Sequence, residues 1–343
     1  KKTKLLLLYS FLFYLIIFIG LRHHTGGDWQ SHVLQFYKAK TFNFFNFDFR
    51  GDYLYDLLNF IISKFIGGLY SVNLILSILL VLSVYIYSSL LPQRFLVLII
   101  CFPYIFVVVG MGFVRQGMAL SFILISLYFL NKKRFFYYLI SFILAVLSHK
   151  SIIILFLINL FIFNKNLLKQ IILYILYILI FLILIYSLKD NLYNLYYYYI
   201  GAGVHLESYG SIFRNLFNTI PVIIFILFFK KFKKINSTNL INIYVFFAIY
   251  QIVLLYLSFE ISTFADRMTI YSLPIQLFVY SNLFLIFDKK YKFFINFLIL
   301  FLYNIYFLTW INVGIYSHVW FPYKNIIYEY FFAYESCCMS FVK

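Results

Sequence analysis

The stretch that decides the fold is FLVLIICFPYIFVVVGMGFVRQGMALSFILISLYFLNKKR, residues 95–134. Two apolar runs, 95–112 and 116–130, lie on either side of Arg115, and the second run ends at Lys132-Lys133-Arg134. A helix of about 20 apolar residues crosses the hydrocarbon core of a bilayer, and charged residues at its ends lie in the interfaces. The same alternation recurs along the whole chain. The sequence therefore predicts an all-α polytopic membrane protein.

The composition excludes several other classes of protein. Hydrophobic residues make up 64% of the 343 positions and charged residues only 11%, which leaves too few polar side chains to cover a soluble globule. The formal net charge of +17 does not indicate nucleic-acid binding, because most of the excess is lysine at the ends of apolar runs. The three cysteines, Cys101, Cys337 and Cys338, lack the spacing of a metal site or a disulfide framework.

The apolar runs predict about eleven transmembrane helices in a single domain that covers 1–343. The first run, 5–21, is expected to be a retained helix, because no small-residue cleavage site follows it. With the N-terminal lysines in the cytoplasm, successive spans alternate in direction across the membrane. This predicts external loops at 22–52 and 189–212 and an external tail at 312–343. For the run 53–66, which contains polar residues, a spanning helix and an interfacial or re-entrant helix both stay open.

The two kinds of cation separate between the two sides of the predicted membrane. Most lysines fall on the inner side, as the positive-inside rule requires, but most arginines fall on the outer side. Arg115, Arg214 and Arg267 each open a span there, and a guanidinium at a helix N-terminus suits a phosphate group. We therefore expect these three arginines to bind a diphosphate. The alternative is that they hold loops together by pairing with Asp28, Glu207, Glu260 or Asp266.

Two candidates for a general base accompany these arginines. A span inward, a tight turn and a span outward separate Arg115 from His149, so a helical hairpin returns both to the outer side, where a histidine can accept a proton. Asp28 lies in an aromatic loop, where it can take the proton of a sugar hydroxyl while Trp29 stacks on the sugar ring. The alternatives are that each residue caps a neighbouring helix end. No paired ligand spacing indicates a metal, and no cofactor is expected.

Four blocks of the chain resemble motifs of one known family. The central block, Val114-Arg115-Gln116-Gly117-Met118-Ala119-Leu120 continued to Leu147-Ser148-His149-Lys150-Ser151, is similar to the EpsG branch of the Wzy-type polysaccharide polymerases. The other three follow in the family's order: Gly27-Asp28-Trp29, Asp266-Arg267-Met268 through Tyr271, and Trp320-Phe321-Pro322-Tyr323-Lys324. One departure is His32, where the family pattern has a tyrosine. The resemblance implies that Gln116, Asp266 and Tyr271, besides Trp29, bind substrate.

The resemblance also implies an activity and a location. It implies a glycosyltransferase of the bacterial inner membrane, with a GT-C-like architecture, that polymerises oligosaccharide repeat units carried on undecaprenyl diphosphate at the periplasmic face. Membrane lipids and a regulator of chain length are its expected partners, and nucleic acid is not. A flippase or transporter for the same lipid-linked sugar and an O-antigen ligase remain alternatives. An O-acyltransferase is disfavoured, because its histidine would face the inner side while His149 falls on the outer side.

Overall fold

The computed structural model is mostly helical in the residues that it describes, and it forms no strand there beyond one isolated antiparallel bridge between Arg22 and Asn325. The predicted external loop at 189–212 and the end of the predicted tail, 331–343, lie largely or wholly outside those residues. The structure describes residues 2–43, 52–65, 67–162, 167–187, 208–287 and 289–330, together with positions 189, 193 and 197.

The helices are numbered here in chain order. They are α1 (Lys2–Gly20), α2 (Trp29–Thr41), α3 (Tyr53–Phe65), α4 (Leu69–Ser88), α5 (Arg94–Cys101), α6 (Gly110–Gly112), α7 (Val114–Asn131), α8 (Phe135–Ser148), α9 (Leu167–Ser187), α10 (Ser211–Leu227), α11 (Phe229–Ile235), α12 (Thr238–Glu260), α13 (Ser262–Met268), α14 (Leu273–Ile286) and α15 (Lys292–Val313). A π-helical stretch, Phe102–Val109, joins α5 to α6, and 3₁₀ turns cover Lys150–Phe161, Thr269–Ser272, Lys289–Tyr291 and Ser317–Val319.

Among the described residues, six stretches are long and apolar enough to cross a membrane. A seventh results if α10 and α11, which meet at an angle of 75°, are counted as one bent span. Four further apolar helices, α8 among them, have 10–17 residues, which is fewer than the 18 residues required here of a membrane span. The all-α polytopic class is thus confirmed, while the count of about eleven spans and the GT-C-like architecture stay predictions.

The span 94–112 is not a uniform α-helix, and its irregularity sets the position of Arg115. Pro103 has no backbone N–H to donate, and the helix widens into π-helical turns over Phe102–Val109. After α6 the backbone of Phe113 leaves the helical region, with φ −116° and ψ 56°. Helix α7 starts at the next residue, so Arg115 lies in the first turn of a new helix.

Helix α4 lies at the centre of the N-terminal half, where it packs against α1, α3 and α7. Gly20 allows α1 to approach closely, because a Cβ there would lie 2.7 Å from the side chain of Leu74. Lys133, with φ 57°, turns the chain from α7 into α8, and the two helices pack along each other. This pair, the α7–α8 hairpin, brings the start of α7 and the end of α8 to the same end of the bundle.

The C-terminal half packs α10, α12, α13 and α14 together around buried polar side chains. Gln251 donates from Nε2 to Asn215 Oδ1 at 3.1 Å, and Thr269 Oγ1 donates to Gln251 Oε1 at 3.0 Å. These bonds connect α10, α12 and the turn before α14 inside an apolar core, where an unpaired amide would be costly. The last span, α15, packs against α5 and α14 and is mostly exposed.

The region predicted as an external loop, 22–52, contains a helix at residues 29–41. Its location outside the membrane stays a prediction. Helix α2 packs against α3, which buries Tyr55, Asp56 and Ile62 on one face. At about 1.5 Å per residue, the 13 residues of α3 extend only about 20 Å, short of a hydrocarbon core of about 30 Å. The open question about 53–66 is therefore answered against a complete span.

The described part of the predicted tail folds back onto the end of α1. His23 N donates to the carbonyl oxygen of Lys324 at 2.9 Å, and Ile326 N donates to that of Leu21 at 2.9 Å. Gly26 N donates to the carbonyl oxygen of Val319, also at 2.9 Å. The segment before α2 and the segment after α15 therefore lie together at one end of the bundle.

Candidate active site

One buried carboxylate joins the two residues that the α7–α8 hairpin brings together. Arg115 Nη1 donates to Asp52 Oδ2 at 2.8 Å, and His149 Nδ1 lies 3.2 Å from Asp52 Oδ1. The side chains of Asp52 and His149 are 9% and 18% exposed, whereas that of Arg115 is 43% exposed. The carboxylate is held inside the protein, and the guanidinium still presents surface to a ligand.

The position of His149 follows from the end of α8. Its backbone is extended, with φ −159° and ψ 114°, so the chain leaves the helix there and the imidazole turns toward the start of α7. Besides the Asp52 contact at Nδ1, His149 Nε2 lies 3.5 Å from Nε2 of Gln116. The imidazole thus contacts a carboxylate and an amide, rather than capping the carbonyls at the helix end.

Asp28 belongs to the same group of charges. It occupies the N-cap position of α2, but its side chain makes no capping hydrogen bond, so the capping alternative does not describe it. Arg115, Arg267 and His149 all lie close enough to act on the charge of Asp28. Three of the predicted site residues, from α7, α13 and the end of α8, therefore lie within electrostatic range of one carboxylate at the start of α2.

The two carboxylates, Asp28 and Asp52, differ in their proton affinity. Burial raises the pKa of Asp28, and the charges of Arg115, Arg267 and His149 oppose this only in part. Burial also acts to raise the pKa of Asp52, but the hydrogen bond and charge of His149, with the charge of Arg115, outweigh it and leave that pKa lowered. Asp52 therefore stays ionised as an ion-pair partner, and Asp28 is the better suited of the two to accept a proton.

Arg214 lies in a second group, apart from these direct contacts. It donates from Nε and Nη2 to the two carboxylate oxygens of Asp266, the second bond measuring 2.6 Å. Ser208 Oγ donates to Asp266 Oδ2 at 3.0 Å. At Arg214 the structure shows the alternative interpretation, an arginine paired with a carboxylate. Arg115 is also paired with a carboxylate, but the side chain of Arg214 is only 20% exposed, so the pair of Arg214 with Asp266 is a weaker candidate for binding diphosphate or sugar.

Arg267 and Tyr271 follow Asp266 along the chain and lie nearer the first group. Arg267 acts on the charge of Asp28, and Tyr271 lies within electrostatic range of both Arg267 and Asp52. The side chain of Tyr271 is fully buried. Because it is fully buried, Tyr271 offers no exposed surface to a substrate.

The segment before α2, the start of α7 and the tail pack through glycines. Gly26 has φ 103°, and a Cβ there would lie 2.0 Å from the carbonyl oxygen of Met111. A Cβ at Gly112 would lie 2.1 Å from Cζ2 of Trp320. These close approaches require glycine, and they hold the segments that carry Asp28 and Arg115 against each other.

Trp29 has a different environment from the one that sugar stacking requires. Its ring is buried, and the Cζ atom of Arg22 lies 5.7 Å from the ring centroid. Arg22 is itself buried and donates to Thr25 O and to Asn73 Oδ1. The indole is therefore part of the support for the loop that positions Asp28.

A cavity of about 260 Å³ opens beside Asp52 and Arg115, between α2 and α3. We call it the α2–α3 cavity. Its other lining residues are mostly polar: Ser31, His32, Leu34, Gln35, Lys38, Tyr55 and Asp56.

The sequence model of the EpsG family matches residues 4–325 of the chain. The chain belongs to the EpsG family. The resemblance inferred from the motifs is thereby confirmed, and the family is one of Wzy-type polymerases. No curated protein and no solved structure matches the chain.

In this EpsG protein the motifs that suggested the family converge at one end of the bundle. The matched range includes the loop of Asp28, the α7–α8 hairpin and the turn of Arg267. Within the described ranges, no three His, Cys, Asp or Glu side chains gather as metal ligands do. Metal-independent chemistry in this EpsG protein stays a prediction.

Sequence reasoning missed Asp52, the residue that organises the site of this EpsG protein. Its partners Arg115 and His149 are 63 and 97 positions away. The only signal in the sequence was its acidic side chain in a region assigned to the outer side. That signal did not distinguish Asp52 from the other acidic residues on the predicted outer side.

Proposed function

We propose that this protein is a membrane glycosyltransferase that polymerises oligosaccharide repeat units carried on a lipid diphosphate. Membership of the EpsG family and the membrane-spanning helices support a membrane polysaccharide polymerase in general. The observation that carries the finer proposal is the arrangement around Asp52, which holds Arg115 and His149 together beside Asp28. Such a site offers a cation for a leaving diphosphate next to a carboxylate for a proton.

The proposed reaction is a single displacement at the anomeric carbon of the growing chain. A hydroxyl oxygen of the incoming unit forms a bond to that carbon, and the bond from the carbon to the diphosphate oxygen breaks. The diphosphate leaves with the electron pair, and Arg115 and Arg267 stabilise its growing negative charge. The hydroxyl proton passes to a base of the protein, and the anomeric configuration inverts.

We assign the base to Asp28 and a positioning role to His149. Asp28 has a raised pKa and faces the arginines, whereas both ring nitrogens of His149 already have protein partners, Asp52 and Gln116. A base works best when its pKa is shifted toward the pH of the reaction. His149 then holds Asp52, and through it Arg115, in place.

Arg214 receives a positioning role in this proposal. Its two-point bond to Asp266 fixes the turn that continues directly into Arg267. A fixed turn lowers the cost of holding a guanidinium against the diphosphate. In this proposal Arg115 and Arg267 accordingly form the binding site for the leaving diphosphate.

The carrier and the location are proposed on the distribution of charge. The topology predicted from the sequence places most lysines on the side of the membrane opposite to this site, and the positive-inside rule assigns that side to the cytoplasm. The site then faces the periplasm of a bacterial inner membrane, where undecaprenyl diphosphate is the expected carrier. A regulator of chain length is a proposed partner.

The glycolipids of a deletion strain test this function. We expect the ladder of polymer lengths to collapse to a single repeat unit on its lipid, and the wild-type gene to restore the ladder. If polymer of full length accumulates on its lipid carrier, the protein is a ligase. If reconstituted protein moves labelled glycolipid across vesicles and lengthens no glycan, it is a flippase.

A further inference from the structure

The α2–α3 cavity adjoins the candidate active site but has a different chemistry. Two carboxylates, Asp52 and Asp56, balance two cations, Lys38 and Arg115, in its lining. A site for a diphosphate needs an excess of positive charge, so this balance favours a ligand without net charge. The volume of about 260 Å³ lies just below the range of about 300–1,000 Å³ typical of small-molecule sites, and it suits one sugar ring.

A buried imidazole gives a second indication of a ligand. His32, which is 2% exposed, lines the cavity, and its Nδ1 lies 2.8 Å from the hydroxyl of Tyr55. Its Nε2 is buried and has no hydrogen-bond partner among the residues that the structure describes. Burial, with the charges of Arg22 and Arg115, lowers the pKa of His32 to about 3, so the ring is neutral. A neutral imidazole nitrogen left unpaired is costly unless a ligand completes its hydrogen bond.

The neighbouring polar groups are held in fixed positions. Gln35 Nε2 donates to Asp56 Oδ1 at 2.6 Å, which orients the amide along one wall of the cavity. Groups oriented in advance bind hydroxyls with a smaller entropic cost than mobile ones.

We propose that the α2–α3 cavity binds a sugar ring of the acceptor unit and orients the hydroxyl that attacks. This inference rests on the proposed function. Asp52 lines the cavity, and Asp28, the N-cap residue of α2, lies one helical turn from the lining residue His32. The donor differs, because its anomeric carbon is bonded to the diphosphate and must lie beside the two arginines near Asp28, Arg115 and Arg267. The hydroxyl of the acceptor thus approaches from the side of the cavity and gives its proton to Asp28.

The test separates acceptor from donor with two forms of the same sugar. The purified full-length protein is placed in lipid vesicles with radiolabelled lipid-linked repeat unit from its own host as donor, at concentrations varied around its KM. The acceptor probe is the same oligosaccharide, released by mild acid and reduced to its alditol. The alditol has no leaving group, so it can accept a glycosyl group but cannot donate one.

Two substitutions on α2 form a matched pair for this assay. Ser31→Trp places a large ring in the cavity from its exposed rim, and Gln30→Trp places the same ring on an exposed position outside the lining. We expect Ser31→Trp to raise the KM for the alditol at least about 10-fold with no change in the KM for the donor. Gln35→Ala should raise the same KM by a smaller factor, and Gln30→Trp should change neither value.

Three other outcomes of this assay would overturn the inference. An unchanged KM for the alditol in both Ser31→Trp and Gln35→Ala, with active wild-type protein, would leave the proposed function standing and exclude the cavity as the acceptor site. A rise in the KM for the donor alone would assign the cavity to the donor instead. If the wild-type protein transfers nothing to the alditol and lengthens no glycolipid, the proposed function fails together with the inference.

Discussion

Replacing Asp52 with asparagine tests the residue on which the site depends. Asparagine has nearly the same shape as aspartate, so the packing around it should change little. Its single amide oxygen can accept from only one of the two partners, Arg115 or His149, and its NH₂ group then faces the other donor. The substitution therefore removes a charge-assisted hydrogen bond without creating a cavity.

The size of the effect follows from the exposure of the two contacts. A hydrogen bond to a charged group contributes about 1.5–3 kcal/mol. The Arg115 side chain is 43% exposed, so water screens its contact, whereas the contact of His149, 18% exposed, keeps more of its strength. Since about 1.4 kcal/mol corresponds to tenfold in rate, we expect kcat to fall about 10- to 100-fold in Asp52→Asn.

The assay is the lengthening of radiolabelled lipid-linked repeat units by protein in vesicles, with expression and thermal unfolding measured alongside. Glu329→Gln is the matched control. It makes the same kind of change at a surface pair with Lys324, in which the charged atoms are 4.0 Å apart and half exposed. We expect the control to keep wild-type kcat. Wild-type kcat in Asp52→Asn would refute the organising role assigned to this carboxylate.

Three further predictions concern the base, the second ion pair and the glycine contact. Because the pKa of Asp28 is raised, kcat/KM should decline as the pH falls through that raised value, and Asp28→Asn should remove this acid limb and lower the rate by about 10²–10⁴. Arg214→Gln and Asp266→Asn should each lower the thermal stability, and the double variant should recover part of the loss, with a coupling of about 0.5–3 kcal/mol. Gly112→Ala should cost about 1–3 kcal/mol or more through the clash with Trp320, and a second change, Trp320→Phe, should recover stability.

Each of these has a control and a contradicting result. An acid limb that persists in Asp28→Asn would assign the base elsewhere, since Asp52, with its lowered pKa, is already ionised over that range. Strictly additive losses at Arg214 and Asp266 would show that the two side chains do not stabilise each other. Gly68→Ala is the control for the glycine, because a Cβ at Gly68 has no neighbour within 4 Å. Equal losses in Gly68→Ala and Gly112→Ala would exclude the contact with Trp320 as the cause.

The sequence indicated those features that depend on short-range pattern. Apolar runs between charged clusters predicted the helical membrane class, because a bilayer imposes a length and a composition on each span. Counting the predicted spans along the chain placed Arg115 and His149 at the same end of a helical hairpin, and the structure contains that hairpin. The motif blocks indicated the family, which the match over residues 4–325 confirmed.

The remaining features depend on contacts between distant parts of the chain. Asp52 reaches its partners only because α3, which it precedes, packs on α4 and α8, and no periodicity around 22–52 indicated this packing. The pairing of Arg214 with Asp266 was one of two open alternatives, since a sequence does not show which carboxylate meets which guanidinium. The burial of Trp29 under Arg22 likewise depends on a contact that spacing alone does not predict.

The polymer length distribution of Arg115 variants tests the central claim most directly, namely that this guanidinium stabilises the leaving diphosphate. Arg134→Ala is the control, because Arg134 is an exposed arginine at the opposite end of the α7–α8 hairpin. In Arg115→Ala we predict single-unit glycolipid and no polymer. In Arg115→Lys, which keeps the charge but loses the planar fork, we predict a short, weak ladder. The control should give the wild-type ladder. Wild-type chain lengths in Arg115→Ala, at normal expression, would contradict the claim.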